Sequence, residues 1–399
     1  MAPRPTILCA AFSARQIAMS AGRAGYDALA VDFFADDDLR RAAKRSALVT
    51  GHYPDGFSAD QLIAALEKLV QGETPLGFVY GAGIEDRPEL LDRIGERWPV
   101  LGTKAAALAA LKTPERFAAL CAAAGIAHPN IARERPADPT GWLSKQAGGA
   151  GGSHVRHAES DAGGPADPNR YVQRFIEGER WSALIVAAKG SAHVIGYSRQ
   201  WCDPSRDEPF RYGGAVGPLT PPNEPEFQAA IDRLVAAIEA EAIALTGIAS
   251  LDFVLSSDRL YCLEINPRFG ATVDVFDTPD APLLALHLKA CEGRLPAARP
   301  RFASVRASGL AWADRGLRTS ERFSWPDWTA DRTAPPASFE AGTPIATILA
   351  SAESESAALA LFHERGLALK QWLEDELPSL EAGSSDAPAA KTSALAGLL

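Results

Sequence analysis

Two carboxylates and one amide occur where β-strand alternation would place all three on one side of a hairpin. Residues 251–268 have the pattern of two strands joined by a polar turn. If the strands pair about Asp258, Asp252 lies opposite Glu264, and Asn266 returns to the same face two residues later. Like charges about 4 Å apart repel by about 4 kcal/mol at an effective dielectric of about 20. This group therefore requires a cation.

Hard oxygen donors of this kind suit Mg²⁺ or Mn²⁺ bound to phosphate oxygens better than they suit zinc. The alternative is a surface hairpin whose acidic side chains face water. Glu264 and Asn266 alternate with the apolar Leu263 and Ile265, which indicates one buried face and one enclosed polar face. We therefore predict Asp252, Glu264 and Asn266 as metal ligands.

A glycine-rich segment at residues 145–154 reads Lys-Gln-Ala-Gly-Gly-Ala-Gly-Gly-Ser-His. Such glycines expose backbone N–H groups and let a loop fold over phosphates. These glycines are Gly148, Gly149, Gly151 and Gly152. No Gly-Lys-Ser/Thr follows them, so the segment is not a P-loop. A flexible linker is the alternative, but Lys145 on the preceding strand favours nucleotide binding.

Two further pieces are weak in isolation. Lys112 precedes a helix and is equally compatible with a solvated surface charge. Residues 173–179, Gln-Arg-Phe-Ile-Glu-Gly-Glu, form a strand and turn that is equally compatible with an edge strand. Their order along the chain is informative: a lysine, a lysine with a glycine loop, a strand followed by Glu, then the Asp/Glu/Asn group and Glu-Ile-Asn-Pro-Arg.

This order and wording resemble the ATP-grasp superfamily over roughly residues 100–295. The resemblance implies that Lys112 and Lys145 contact ATP phosphates, that Asp252, Glu264 and Asn266 bind Mg²⁺, and that Arg268 clamps phosphate or acyl phosphate. It implies that the strand at residues 173–176 contacts adenine and that Glu179 contacts the ribose. If the match to the family is shifted by one residue, Arg180 has the ribose contact instead. The adenine residues are Gln173, Arg174, Phe175 and Ile176.

Other stretches are similar to the carboxylate–amine ligase branch of that superfamily. They are Ser13-Ala-Arg, Gly25-Tyr, the strand ending at Asp32, and Gly342-Thr-Pro-Ile. The chain loosely resembles ligases of methanofuran and tetrahydromethanopterin assembly, one family of which joins tyramine to glutamate. The resemblance implies small-molecule carboxylate and amine substrates and is compatible with a homodimer. Ser13 and Arg15 are candidates for holding the substrate carboxylate; a surface arginine at a helix start is the alternative.

The elements that position these residues change along the chain. Strands and helices alternate over residues 1–103, which predicts a doubly wound α/β domain. The first strand is not followed by GxGxxG, which disfavours a dehydrogenase. Residues 104–295 indicate an ATP-grasp domain of two α+β subdomains, including a helix at 225–245. Residues 296–376 indicate a small β-rich lobe, and 377–399 a disordered tail.

Composition limits the classes of function. The 399 residues carry a formal net charge of -10 with interspersed signs, which argues against nucleic-acid and membrane-surface partners. No stretch approaches the roughly 20 apolar residues of a membrane span. Five scattered cysteines without a CxxC pair argue against disulfides and zinc, and favour the cytoplasm. Two alternatives remain: an ATP sensor of the same fold that does not ligate, and a phosphotransferase.

Overall fold

The computed structural model describes residues 3–51, 56–160, 167, 169–257 and 259–376. The predicted tail at 377–399 lies outside these residues. Among the described residues, no helix combines the length and apolar character needed to cross a membrane. The predicted fold class, an α/β N-terminal domain followed by α+β subdomains, is confirmed.

The N-terminal domain is built on a parallel sheet in the order β3-β2-β1-β4. Its elements are β1 (Thr6–Ala10), α1 (Arg15–Arg23), β2 (Asp27–Asp32), α2 (Asp37–Ala42), β3 (Arg45–Leu48), α3 (Ala59–Leu69), β4 (Phe78–Tyr80) and α4 (Glu89–Gly95). The central strand β1 is fully buried, because helices cover both faces of the sheet. The loops after β1, β2 and β4 therefore meet at one edge of the sheet.

The middle of the chain supplies two antiparallel sheets. Its elements are α5 (Ala105–Lys112), α6 (Pro114–Ala123), β5 (Ile131–Ala132), β6 (Trp142–Gln146), β7 (Arg156–His157), β8 (Arg170–Arg174), β9 (Glu179–Ala188), β10 (Ser191–Cys202), β11 (Tyr212–Leu219), α7 (Glu224–Ala240), β12 (Gly247–Ser256), β13 (Arg259–Asn266), α8 (Val273–Phe276) and α9 (Leu283–Cys291). The small sheet has the order β5-β8-β6-β7. The helix predicted to reach Leu245 ends at Ala240, and Ala242 follows with φ 53°.

The C-terminal elements are β14 (Val305–Trp312), β15 (Leu317–Arg318), β16 (Thr329–Ala330), β17 (Ser338–Phe339), β18 (Pro344–Ala352) and α10 (Glu355–Glu376). Three of these strands extend the large sheet, whose order is β13-β12-β9-β10-β11-β14-β18-β16. One face of that sheet packs on α6 and α7 around Phe227, Ile231 and Leu234. The C-terminal segment therefore shares a sheet with the predicted metal ligands.

Candidate functional site

The β12–β13 hairpin brings the predicted metal ligands together. Asp252 pairs with Glu264, and Ser250 pairs with Asn266. This confirms the predicted register at the carboxylates. We refer to Asp252, Glu264 and Asn266 as the metal group, a name that records a prediction about its ligand.

A β-bulge produces this alignment. Nearer the turn Phe253 pairs with Cys262, whereas Asp252 pairs with Glu264, so Leu263 is the additional residue on β13. Without the bulge, Leu263 would lie opposite Asp252 and Glu264 would move to the other face of the hairpin. The bulge therefore sets which side chain joins the site.

Two members of the metal group contact an ammonium in this structure. Nζ of Lys112, the last residue of α5, donates to Asn266 Oδ1 at 2.8 Å and to Glu264 Oε2 at 3.3 Å. Asn266 Nδ2 donates to Asp252 Oδ2 at 3.0 Å, and Ser182 Oγ donates to Asp252 Oδ1 at 2.7 Å. Carboxylate and amide oxygens thus converge on a positive charge, and their chemistry fits a magnesium ion.

The two carboxylates of the metal group differ in proton affinity. Burial, with a contribution from the charge of Glu264, raises the pKa of Asp252 to about 6. Burial also opposes ionisation of Glu264, but Lys112 and Lys145 outweigh it and hold the pKa of Glu264 well below its usual range. Glu264 is therefore the permanent negative charge of the pair.

Lys145 extends from β6 beside the metal group. Its Nζ donates to Gln173 Oε1 at 3.1 Å and lies 5.9 Å from the ring centroid of Tyr171. Burial opposes its charge, but Tyr171, Glu264 and Asp252 raise the pKa of Lys145. The side chain is therefore a fixed cation next to the carboxylates, held by the neighbouring strand β8.

The glycine loop lies against two other parts of the chain. A Cβ on Gly148, where φ is 73°, would lie 2.7 Å from Glu85 O of the N-terminal domain. A Cβ on Gly152, also with φ of 73°, would lie 2.1 Å from Phe210 O. Only glycine fits either position, because the backbone approaches closely and φ is positive. The glycine loop therefore packs against both the N-terminal domain and the segment that precedes β11 of the large sheet.

The segment after β8 leaves backbone donors for a ligand. The N–H of Arg174 donates to Asn130 O at 2.8 Å, and that of Phe175 donates to Gly141 O at 2.9 Å. Within the described part of the chain, the N–H groups of residues 176–178 have no protein acceptor, and of these three residues Ile176 lines the cavity described below. The adenine contacts of this segment stay a prediction. Phe210 packs 5.9 Å from Phe175.

Glu179 and Arg180 differ in their orientation at the start of β9. Glu179 is exposed, and its Oε2 accepts from Trp181 Nε1 at 3.1 Å. Arg180 lies over the Phe210 ring, 5.5 Å from its centroid, and lines the cavity described below. The geometry favours the alternative that places Arg180 at the nucleotide.

Arg268 is buried at the end of β13. Its Nε donates to Glu85 Oε1 at 2.5 Å, and Glu85 also accepts from the N–H groups of Gly83 and Ile84. The single proton of Tyr80 Oη is shared between Thr103 O at 2.7 Å and Pro267 O at 3.1 Å, which ties the backbone before Arg268 to the N-terminal domain. Burial opposes ionisation of Glu85, but Arg268 and then Lys112 hold the pKa of Glu85 below its ordinary value.

These groups surround one cavity of about 380 Å³. Predicted site residues in its lining are Ser13, Lys145, Gly151, Gly152, Gln173, Arg174, Phe175, Ile176, Asp252, Glu264, Asn266 and Arg268. Predicted residues outside the lining are Arg15, Lys112, Gly148, Gly149 and Glu179. The ammonium of Lys112 contacts the metal group, and Lys112 is not part of the cavity lining. Its predicted contact with the ATP phosphates stays a prediction.

The structure does not support Arg15 as a substrate anchor. Its Nη2 donates to Asp274 Oδ2 at 2.7 Å, and its Nε donates to Asp331 Oδ1 at 2.9 Å. Ser13 Oγ donates to the same Asp331 oxygen at 2.6 Å. Since both donors already serve carboxylates and Arg15 is only 1% exposed, a substrate carboxylate would have to displace them.

Sequence reasoning missed several cavity residues. Gln200 on β10 donates to Asp252 at 3.5 Å, and Phe210 lies in the loop between β10 and β11. Asp36 and Asp331 come from segments with no motif. The acidic run at 36–38 was visible in the sequence, but nothing indicated that it faces a cavity.

Residues 111–272 match the family model described as an ATP-grasp domain. The chain therefore contains an ATP-grasp domain, which includes the glycine loop and the metal group. A tyramine–L-glutamate ligase of Methanocaldococcus jannaschii is 30% identical over 107 residues, which are 27% of this chain and 32% of that protein. The match thus spans about a third of the curated relative.

Solved structures share the fold at low identity. An L-amino acid ligase from Bacillus licheniformis has a TM-score of 0.64 at 14% identity, covering 94% of this chain and 98% of that one. A Rhizobium etli pyruvate carboxylase has a TM-score of 0.67 at 13% identity, covering 91% of this chain and 39% of that one. The N-terminal and C-terminal segments therefore belong to the shared fold together with the ATP-grasp domain.

Proposed function

We propose that the chain is an ATP- and Mg²⁺-dependent ligase that joins a carboxylate to an amine, releasing ADP and phosphate. One observation carries the proposal. Within an ATP-grasp domain, a single cavity is lined by Lys145, the glycines at 151–152, the metal group and Arg268. Binding triphosphate, a cation and an acyl phosphate requires these charges in one enclosed place.

The nucleotide would lie between the small sheet and the large one. Leu143, Val155 and Phe210 provide apolar surface for adenine. Ile176, which lines the cavity, has a free backbone N–H that would donate to a ring nitrogen. Lys145 and the glycine loop then face the phosphates, with Arg180 toward the sugar.

Asp252, Glu264 and Asn266 would hold Mg²⁺. When bound, the ion would neutralise charge on the phosphate oxygens. Lys112 already holds two members of this group in place through its ammonium. Its role would be to fix their orientation and to balance the charge of Glu264.

The substrate carboxylate would attack the γ-phosphorus of ATP, and the bond to the bridging oxygen would break to release ADP. The amine would first give up the proton of its ammonium form to water. The uncharged amine would then attack the acyl carbon of the acyl phosphate, the bond from that carbon to the phosphate oxygen would break, and the nitrogen would lose a second proton. Arg268, fixed by Glu85, is positioned to stabilise negative charge on the reacting oxygens. The glycine loop would exclude water from the acyl phosphate.

The relative named tyramine–L-glutamate ligase supports an amino acid, such as glutamate, and an aromatic amine as the substrate pair. Two other outcomes are distinguishable by products. A sensor would bind ATP without releasing ADP under any substrate combination. A phosphotransferase would release ADP with the acid alone and leave a phosphorylated product that no amine consumes.

The test is product analysis with L-glutamate and a panel of amino acids, each with and without amines. We expect ADP and phosphate only when acid and amine are both present. Hydroxylamine with the correct acid should trap a hydroxamate, because it intercepts the acyl phosphate. AMP and pyrophosphate as products would overturn the proposed mechanism.

A further inference from the structure

An acidic cluster, separate from the proposed nucleotide and metal residues, reaches the cavity through two of its members, Asp36 and Asp331. The cluster comprises five carboxylates grouped around Arg15: Asp32, Asp36, Asp38, Asp274 and Asp331. They come from the N-terminal domain, from α8 and from the segment after β16. The N–H groups of Asp331 and Arg332 both donate to Asp38, which joins the N-terminal and C-terminal segments.

Most of these carboxylates are saturated with donors. Asp331 accepts from Ser13, Arg15 and Thr347, the last at 2.5 Å. Asp32 accepts three backbone N–H groups, including that of Ala35 at 2.7 Å. Their contacts are those expected of buried acids that serve the fold.

Asp36 is the exception. Its side chain is 1% exposed and lines the cavity, yet its Oδ2 has no hydrogen-bond partner within the described part of the chain. It stands at the N-cap position of α2 but makes no side-chain cap bond there. A buried carboxylate oxygen without a donor is costly. This oxygen therefore indicates a missing donor on the cavity side.

Backbone strain flanks the same position. Ala35 and Asp331 have φ of 48° and 56°, in the left-handed region that side chains other than glycine rarely adopt. Strain of this kind costs about 1–3 kcal/mol per residue and collects at ligand sites. The surrounding contacts hold Asp36 toward the cavity despite that cost.

The missing donor should be a singly charged organic cation. Among the described residues, no three His, Cys, Asp or Glu side chains converge closely enough to hold a metal ion. The single guanidinium of Arg15 is shared by several carboxylates, so the cluster repels anions. An ammonium supplies both the charge and the N–H donors that Asp36 lacks.

We propose that Asp36 binds the ammonium of the acceptor amine, with the other carboxylates of the cluster supplying the surrounding negative charge. This inference rests on the proposed ligase function, since it assigns one of that reaction's two substrates. The same cavity is lined by three apolar side chains, Phe12, Phe34 and Ile345. Each lies within two residues along the chain of a polar cavity residue, which is Ser13, Asp36 or Thr347, respectively. The amine that fits is therefore a primary amine on an apolar body.

The cluster also selects against an amine that carries its own carboxylate. An amino acid placed here would bring its carboxylate next to several aspartates, and Arg15, the cation among the described residues of the cluster, is already paired with Asp274 and Asp331. Burial and then the charges of Asp331, Asp32 and Asp38, partly offset by Arg15, raise the pKa of Asp36 to about 9. Without a ligand Asp36 therefore keeps its proton at neutral pH, and an ammonium would bind its carboxylate with release of that proton. The acid substrate would instead bind near Arg268.

A binding measurement on the full chain tests the cation requirement without catalysis. The probes are 2-phenylethylamine, uncharged 2-phenylethanol and zwitterionic phenylalanine, each followed by calorimetry and thermal shift at neutral pH. We expect binding of the amine at least tenfold tighter than that of either analogue. Equal binding of the alcohol would overturn the proposal, and this arm needs no variant.

Asp36→Asn should weaken 2-phenylethylamine binding at least tenfold, whereas Asp37→Asn, at the partly exposed next residue, should not. In turnover, Asp36→Asn should raise the KM for the amine at least tenfold. It should change the KM for L-glutamate by less than twofold when hydroxylamine, uncharged at neutral pH, replaces the amine. A raised KM for the acid instead would show that the cluster holds the acid's ammonium, which overturns the assignment.

The two hypotheses fail separately. If the wild-type chain releases no ADP with any pair of acid and amine, including hydroxylamine, the proposed function fails, although the binding arm still reports on Asp36. If hydroxamate forms but Asp36→Asn leaves amine binding and the amine KM unchanged, the ligase stands and the amine site is wrong.

Discussion

At the metal group, Glu264 and Asn266 hold the ammonium of Lys112, a cation supplied by the chain itself. At the acidic cluster, one arginine serves several carboxylates, and one oxygen of Asp36 has no hydrogen-bond donor within the described part of the chain. Both groups include residues that line the same cavity. The metal group is balanced by a lysine of the chain itself, whereas Asp36 has no such partner among the described residues, and its carboxyl keeps a proton until a ligand supplies the charge.

The two groups also differ in how far apart their residues lie along the chain, which explains why only the metal group could be predicted from the sequence. The metal group lies on two consecutive strands, so alternation and a hairpin register placed Asp252 opposite Glu264. Even in the metal group, the alignment depends on a β-bulge at Leu263, which no pattern in the sequence predicts. The acidic cluster joins Asp36 to Asp331, and no local periodicity can pair segments so far apart along the chain.

In the overall fold as well, elements with a local sequence pattern were predicted and those that depend on long-range pairing were not. Alternating strands and helices predicted the N-terminal sheet, because each element has its own periodic signal. Helix α5 was missed, since its seven residues before Lys112 are all Ala or Leu and show no polar face. The participation of β14 and β18 in the large sheet was also not predicted, because it depends on long-range pairing with β11.

The largest expected effect concerns Glu264. Glu264→Gln preserves the shape but removes the permanent negative charge of the metal group, so turnover should fall about a thousandfold, equivalent to about 4 kcal/mol. The measurement is kcat with Mg²⁺ varied, using Glu241→Gln on the exposed end of α7 as the control. Wild-type turnover in Glu264→Gln at ordinary Mg²⁺ would falsify the metal assignment.

A smaller loss of turnover should follow Gly149→Pro. Gly149 N–H donates to Gln146 O at 3.2 Å, and a Cβ there would lie 2.6 Å from the ring of His154. Proline removes the donor and stiffens the loop over the phosphates, so kcat should fall about a hundredfold. Gly149→Ala tests the steric contact alone, because it keeps the N–H. A proline variant that melts early but turns over normally per folded molecule would contradict this role.

Lys112→Met should affect stability in a way that separates the two groups. With its ammonium gone, Glu264 loses the cation that contacts it directly and faces Asp252 with only the more distant charges of Lys145 and Arg268, so Tm in EDTA should fall by about 3 °C. Adding Mg²⁺ should recover part of that loss, since the ion supplies the missing charge. Lys104→Met, at an exposed position before α5, is the control. If Mg²⁺ leaves the Tm of Lys112→Met unchanged, these oxygens do not bind the metal.

The last effect, which is small for each single pH unit, is expected from Asp36 in the absence of ligands. Burial, and then Asp331, Asp32 and Asp38, partly offset by Arg15, raise its pKa to about 9 from an ordinary value of 3.8. The folded chain therefore binds this proton more tightly than the unfolded chain, and raising the pH between those values lowers stability.

Asp36→Asn has no such proton to take up. The Tm of Asp36→Asn should rise relative to that of the wild type by about 1–2 °C for each pH unit between pH 5 and pH 9. Above pH 9 the difference between the two Tm values should stay constant. Asp37→Asn, which is partly exposed, should follow the wild type throughout. Parallel melting curves for all three proteins would show that Asp36 is already balanced without a ligand, and the contrast between the two charged groups would then disappear.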